Sequence, residues 1–367
     1  MTAPAPVAPR QHAAFHTLAV ARVARLTEDS VAVTFAVPAE LREAYAFRAG
    51  QHLAVRRPGG NGHGAVRRTY SICSPESADP AELTVGVREV AGGAFSTYVN
   101  QELAAGEVLE VMTPAGRFGL RETPRPGGYW AAVVGGSGIT PVLSIAATLL
   151  ERDPDARFCL VRSDRTALST MFLEEVADLK DRYPARFHLV QTLSREETQS
   201  GLESGRLDRQ RLAGLLPALL PVEDVDGWFL CGPYGLVQGA EQALRGLGVK
   251  RGRIHEEIFH VDDGSTPAAP PVVAPDRASV TAKLGGRSGS WPVQQGETLL
   301  ETVLRNRADA PYACKGGVCG TCRAFLVEGE VRMDRNFALE PDEVEGGYVL
   351  ACQSHPVTEK VELDFDR

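Results

Sequence analysis

From residue 15 to residue 120 the chain alternates apolar and polar positions in short runs, HTLAVARVARLT, SVAVTFAV, HLAVRRP, LTVGVREV and VLEVMTP, each bounded by turn residues. A period of two with one apolar face predicts strands, and this many in succession predict an antiparallel β-barrel. The pattern changes at Tyr129. Continuous apolar runs now lead into glycine-rich turns and then into residues at helical spacing: YWAAVVGGSGITPVLSIAATLL, FCLVRSD with STMFLEEVADLKDRY, FHLVQTL, and GWFLCGPYGLVQGAEQALRGLG. Strand, turn and helix in repetition predict a parallel α/β sheet with crossover helices.

A third pattern follows the proline-rich stretch DDGSTPAAPPVVAPD. ASVTAKLG and GSWPVQQG predict a hairpin, TLLETVLRNR an amphipathic helix, and CRAFLVEGEVRM and KVELDFD further strands, together a compact α+β module. The chain therefore divides into a disordered tail (1–14), a barrel (15–124), an α/β domain (125–261), an extended linker (262–277) and a C-terminal module (278–367). Residues 126–150 carry no charge, as a membrane helix would not. GGSG and the Thr140-Pro141 pair break that run in its middle, and a glycine bend between an apolar strand and a helix explains it without lipid.

Composition adds a soluble, mildly acidic character: 43% hydrophobic residues and a formal net charge of −8 over 367 residues. Neither nucleic acid nor membrane is expected as a partner. No charged-then-apolar leader opens the chain and its seven cysteines are odd in number, so a reducing cytoplasm is the expected setting. Cys73, Cys159 and Cys231 are scattered, whereas Cys314, Cys319 and Cys322 share CKGGVCGTC, and Cys352 follows in LACQSH. The spacing C-x4-C-x2-C with a distant fourth cysteine is that of a plant-type [2Fe-2S] cluster. Tetrahedral zinc is the rival, although its usual frameworks use two short knuckles. Gly316, Gly317 and Gly320 allow the loop to wrap a cluster, and Lys315 and Arg323 stand beside the anionic thiolates.

Two glycine turns, GGSGITP (135–141) and CGPYGLV (231–237), end apolar strands of the α/β domain, where open parallel sheets bind ligands. Together with RRTYSICSP (67–75), GGAFSTY (92–98) and HEEIF (255–259), in that order, they resemble the ferredoxin-NADP reductase family across residues 15–260. The tail resembles the β-grasp fold of plant-type ferredoxins at all four cysteines. The resemblance implies FAD held by Arg68, Tyr70, Gly93 and Ser96, with Ser71 near flavin N5 and Glu257 and Phe259 on its other face. It implies a dinucleotide cradled by Gly136, Gly138 and Thr140, with Cys231 and Gly232 bordering the nicotinamide. Ser71, Cys231 and Glu257 are then the catalytic set. Arg162 and Arg165, at the tip of the second parallel strand, favour the 2′-phosphate of NADPH, while Asp164 keeps NADH open.

A C-terminal ferredoxin module resembles the reductases of multicomponent bacterial oxygenases, among them those serving an acyl-CoA epoxidase and those serving steroid or aromatic-ring hydroxylases. An oxygenase component is thus the implied partner. Glu328, Glu330, Asp334, Glu340, Asp342, Glu343 and Glu345 form an acidic set that could dock it or merely be solvated. A non-enzymatic iron-sulfur sensor, a zinc adaptor and a reductase of free flavin are the competing classes; none needs all of these motifs at once.

Overall fold

A computed structural model describes residues 14–57, 67–120, 124–196, 205–260, 275, 277–307, 310–312, 314–339 and 341–367. Most of the expected tail and linker, and Glu340, lie outside the described residues.

The barrel comprises β1 (Phe15–Thr27), β2 (Ser30–Ala36), β3 (His52–Arg56), β4 (Arg68–Ser71), β5 (Glu82–Arg88) and β6 (Val108–Met112), with the helix α1 (Ala94–Gln101) between β5 and β6. The strands form one antiparallel sheet in the order β4-β3-β6-β1-β2-β5. A bridge between Ile72 and Val85 joins its two ends and closes it. Leu18, Val33, Phe35, Leu53, Val85 and Leu109 fill the interior. Strand β2 is buried on both faces: Val31, Val33 and Phe35 point inward, while Ala32 packs outward against the next domain.

That domain holds β7 (Tyr129–Gly135), β8 (Arg157–Asp164), β9 (Phe187–Leu193), β10 (Gly227–Pro233) and β11 (Ile254–His260), all parallel, in the order β11-β10-β7-β8-β9. Its helices are α2 (Ile139–Arg152), α3 (Leu173–Arg182), α4 (Arg209–Leu219) and α5 (Tyr234–Gly246). Helix α2 is buried from Ile139 through Leu150 because the sheet covers one side and the barrel the other. One apolar core contains Ala49, Cys73 and Phe118 of the barrel together with Ile139, Val142, Phe229 and Cys231. The uncharged run is thus protein-covered, and no described helix is long and apolar enough to cross a membrane.

The C-terminal module contains β12 (Ser279–Leu284), β13 (Arg287–Pro292), α6 (Leu299–Asn306), β14 (Arg323–Glu328), β15 (Val331–Met333), α7 (Pro341–Glu345), β16 (Tyr348–Leu350), β17 (Ser354–Pro356) and β18 (Lys360–Asp364). Five strands form a mixed sheet, β13-β12-β18-β14-β16, and β15 pairs with β17. The predicted hairpin turns at Gly285 and Gly286, both at positive φ (61° and 70°), as a two-residue turn requires. Leu299, Leu300 and Val303 of α6 enter the module's core. Thr298 accepts from Glu301 N, and the Glu301 carboxylate accepts in return from Thr298 N, a reciprocal cap at the start of the helix that leads to the cysteine loop. Thr298→Ala is expected to cost about 1 kcal/mol, read in the holoprotein as loss of the cluster's visible absorbance at a lower temperature.

Candidate functional site

The two glycine turns end neighbouring strands, and their backbones touch. A Cβ on Gly138 would lie 2.1 Å from the Cys231 carbonyl oxygen, and one on Gly232 would lie 2.9 Å from Gly135 N. Gly232 (φ 142°) and Gly136 (φ 54°) also hold conformations that side chains disfavour. The result is a cradle of bare backbone at the N-terminus of α2, suited to the diphosphate of a dinucleotide. Thr140 is buried, and its hydroxyl donates to Ser137 O at 2.9 Å, so it shapes the turn from within.

Arg162 and Asp164 need correction. Two residues apart on β8, they share a face, and both side chains are only 1% exposed. Arg162 Nε donates to Asp164 Oδ2 at 2.7 Å, and Nη2 donates to Met171 O at 3.0 Å. The pair neutralises itself inside the domain, which removes Arg162 as a reader of a 2′-phosphate and Asp164 as a reader of a ribose hydroxyl. Arg165 remains exposed at the strand tip.

On the barrel, β4 alternates its residues between two faces. Tyr70 lies opposite Leu53, half-buried and stacked on Phe95 (ring centroids 6.1 Å apart, planes at 26°), and burial pushes its phenol pKa up. Ser71 is 4% exposed and lies opposite His52. Arg68 is exposed. Ser96 Oγ accepts from Val90 N and donates to Gly93 O, both at 3.0 Å, so this hydroxyl braces the loop, and the backbone N–H groups of α1's first turn are the donors left open there. His52 was not legible as a site residue. It is 3% exposed, burial lowers its pKa to about 4, and Nε2 is a buried nitrogen without a hydrogen-bond partner among the described residues. An exposed arginine, an aromatic face, a bare helix start and an orphaned buried nitrogen form a set that fits a flavin dinucleotide.

Strand pairing sets Cys231 against Glu257, with Sγ 4.0 Å from Oε2. Burial pushes the Cys231 thiol well up and the Glu257 carboxyl up to about 8, so both are protonated near neutrality. Phe259 is half-buried against the core shared by the two domains. Cys73, whose thiol donates to Ser71 O, belongs to that core with Cys231, so it ties the Ser71 strand to the dinucleotide turns.

The four cysteines come together as two pairs. Cys314 and Cys319 hydrogen-bond to each other, as do Cys322 and Cys352. The bond from Cys319 and the Gly316 N–H, 3.3 Å from Sγ, hold the Cys314 thiol down to about 5 despite its burial. Among the described residues no three His, Cys, Asp or Glu side chains converge as a single metal ion requires. Two thiols on each side instead suit a two-iron cluster. Lys315 (φ 54°), Gly317 and Gly320 turn the loop through positive φ. Gln353, which the spacing did not reveal, donates to Lys315 O and Cys352 O, both at 2.9 Å, joining the two cysteine segments.

Known proteins match this arrangement throughout. An oxidoreductase FAD-binding domain matches residues 17–119, an oxidoreductase NAD-binding domain 133–242, and a 2Fe-2S iron-sulfur cluster binding domain 283–357. A 1,2-phenylacetyl-CoA epoxidase subunit from Escherichia coli (strain K12) is 42% identical over 96% of this chain and 98% of the relative. The chain belongs to this family of three-domain reductases. The ferredoxin reductase component of 3-ketosteroid-9-alpha-monooxygenase from Rhodococcus rhodochrous is 36% identical over 95% of this chain and 96% of its own length. Phthalate dioxygenase reductase shares the fold, with TM-score 0.60 at 22% identity over 96% of this chain and 98% of its own.

In this reductase the cluster loop lies against the rest of the molecule. Cys319 packs on Ala54 and Met112 of the barrel, while Val318 and Phe337 pack on the dinucleotide domain, Phe337 edge-on to Tyr234. The acidic set is only partly free. Glu343 pairs with Arg117 and Arg323, and Asp334 with Arg332 and His355, whereas Glu328, Glu330, Asp342 and Glu345 are exposed.

A raised carboxyl pKa makes the folded state prefer the proton, so Glu257 lowers stability progressively as pH rises from the ordinary carboxylate range to about 8. Glu257→Gln cannot ionise. Its holoprotein should match the parent's thermal midpoint at pH 5 and exceed it at pH 9, and equal pH dependence in the two proteins would refute the buried carboxyl.

Proposed function

We propose that the reductase draws electrons from NADPH and delivers them to the oxygenase component of an acyl-CoA epoxidase. The observation that carries the reading is the seating of Cys319 on the flavin barrel, which makes the barrel and the four-cysteine loop neighbours in a single relay. Bound FAD would supply the conversion of a nicotinamide hydride into two single electrons and a proton, and a bound [2Fe-2S] cluster would supply the one-electron acceptor. Gly136, Gly138 and Gly232 hold the dinucleotide through backbone, and Arg165 pairs with the 2′-phosphate. Tyr70 and Phe259 flank the flavin ring, Arg68 and the loop at Gly93 and Ser96 hold its pyrophosphate, and Ser71 orients it near N5. Glu257, protonated at neutral pH, presents a hydrogen-bond donor beside Cys231 at the nicotinamide end. Cys314, Cys319, Cys322 and Cys352 hold the cluster, with Lys315 and Arg323 offsetting its charge.

The epoxidase assignment rests on the whole-chain likeness to the phenylacetyl-CoA epoxidase relative; the steroid monooxygenase relative supports a ring-hydroxylase partner as the second reading. A reducing cytoplasm is the setting in which such a chain works. Anaerobic NADPH should bleach flavin and iron-sulfur absorbance together. Arg165→Ala should raise KM for NADPH about ten- to a hundredfold and leave NADH turnover unchanged, since one charge-assisted pair is worth about 1.5–3 kcal/mol. Faster turnover with NADH than with NADPH in the parent would overturn the choice of nucleotide, and electron delivery to a purified steroid hydroxylase but not to an acyl-CoA epoxidase would overturn the choice of partner.

A further inference from the structure

Arg67 precedes the flavin-binding strand β4 and belongs to no role considered so far. It is 3% exposed. Its guanidinium carbon lies 4.3 Å from the ring centre of Tyr312 and 5.0 Å from that of Phe15, and Nη1 donates to Ala310 O at 3.2 Å. Phe15 and Arg67 belong to the barrel; Ala310 and Tyr312 lead into the cysteine loop and are themselves buried (0% and 8% exposed). The stack continues on both sides. Arg56 lies 4.2 Å over Phe15, and Lys315, next to Cys314, lies 5.1 Å from Tyr312. Cations and rings thus alternate from β3 of the barrel, through Arg67, to the residue beside the first cluster ligand.

A second tether between the same modules is of a different kind. Arg117 of the barrel binds Glu343 at the surface, where the arginine is 49% exposed and salt screens the pair. Arg67 is buried between flat faces, with a hydrogen bond whose direction is fixed by the planar guanidinium, so it constrains position and is insulated from salt. It also abuts the residue expected to hold the flavin pyrophosphate: Arg68 Nη1 donates to Arg67 O at 2.8 Å. One dipeptide therefore faces the flavin with its second residue and grips the cluster loop with its first.

We propose that Arg67 is a positioning residue for electron transfer between flavin and cluster, fixing Ala310 and Tyr312, just ahead of Cys314, against β4 and so setting the gap that each electron crosses. The inference rests on the relay proposed above. In each crossing one electron leaves the reduced flavin and one is gained by the oxidised cluster, and no other reactant is needed.

The test is anaerobic stopped-flow reduction of the holoprotein by NADPH, with flavin absorbance and the EPR signal of rapidly frozen samples followed separately. Arg67→Ala and Arg67→Lys should leave flavin bleaching within about twofold and slow the appearance of reduced cluster about tenfold or more, the order of effect that small misplacements of reacting groups produce. The alanine variant should also lose amide-exchange protection at Ala310, Tyr312 and the Cys314–Gly316 amides while retaining its iron and sulfide content, a readout independent of turnover. Should Arg67→Ala fail to fold or lose FAD, Tyr312→Leu removes the strap from the opposite side and should produce the same split. Cluster reduction at the parent rate, or equal slowing of both phases, would overturn the positioning role. A parent protein that shows no flavin bleaching with NADPH would instead overturn the relay itself.

Discussion

Everything catalytic in this reductase depends on one buried apolar seam. Helix α2 would have two faces to cover as an isolated α/β unit, and here the barrel covers the second with Ala32, Ala49, Cys73 and Phe118. Because the seam is apolar and close-packed, the domains meet in a fixed orientation instead of hinging about a polar interface. That fixed orientation puts Cys73, two residues past Ser71, in one core with Cys231 at the carboxyl end of β10. Gly86 shows how tight the fit is, since a Cβ there would stand 2.8 Å from Thr140 Cγ2 and 2.6 Å from the Phe172 ring.

Buried charge is used sparingly, and in each instance something nearby answers for its desolvation. Arg162 is answered by Asp164, Asp364 by Lys283, and Arg67 by two aromatic faces and a carbonyl, while the half-buried Glu257 avoids the charge by retaining its proton. These solutions differ in consequence. The Arg162–Asp164 ion pair is inert within β8, and its arginine also holds the segment before α3 through Met171 O; the stacked arginine joins two modules; the protonated carboxyl is left able to donate beside Cys231.

Much of this was legible along the chain. Period-two alternation gave the barrel strands, because each has one dry face, and the switch to apolar runs followed by glycine turns gave the parallel sheet. Spacing alone singled out four cysteines as candidate cluster ligands, since a loop that wraps two irons has few ways to do so, and the structure brings those four together as two pairs. Gly136, Gly138 and Gly232 were visible as turn residues, although the necessity of Gly138 and Gly232 comes from a backbone contact between strands almost a hundred residues apart, and that of Gly136 from its positive φ. Helix α4 went unread: its apolar positions, Leu212 and Leu216, occupy a single short stripe that interrupts no motif.

The sequence by itself determined the modules, their order and the chemistry each can hold, because those depend on periodicity and on residue types within short windows. Tertiary structure alone decided which charged residues are available to do anything. Arg162 and Arg165 are indistinguishable in a sequence, yet one is sealed against Asp164 and the other faces water; Arg67 and Arg68 are adjacent, yet one is buried against a ring 245 positions away and the other is exposed. A side chain's charge is written in its residue type, but whether that charge meets solvent, a carboxylate or an aromatic face depends on long-range packing, and that packing exists only once the three modules have come together.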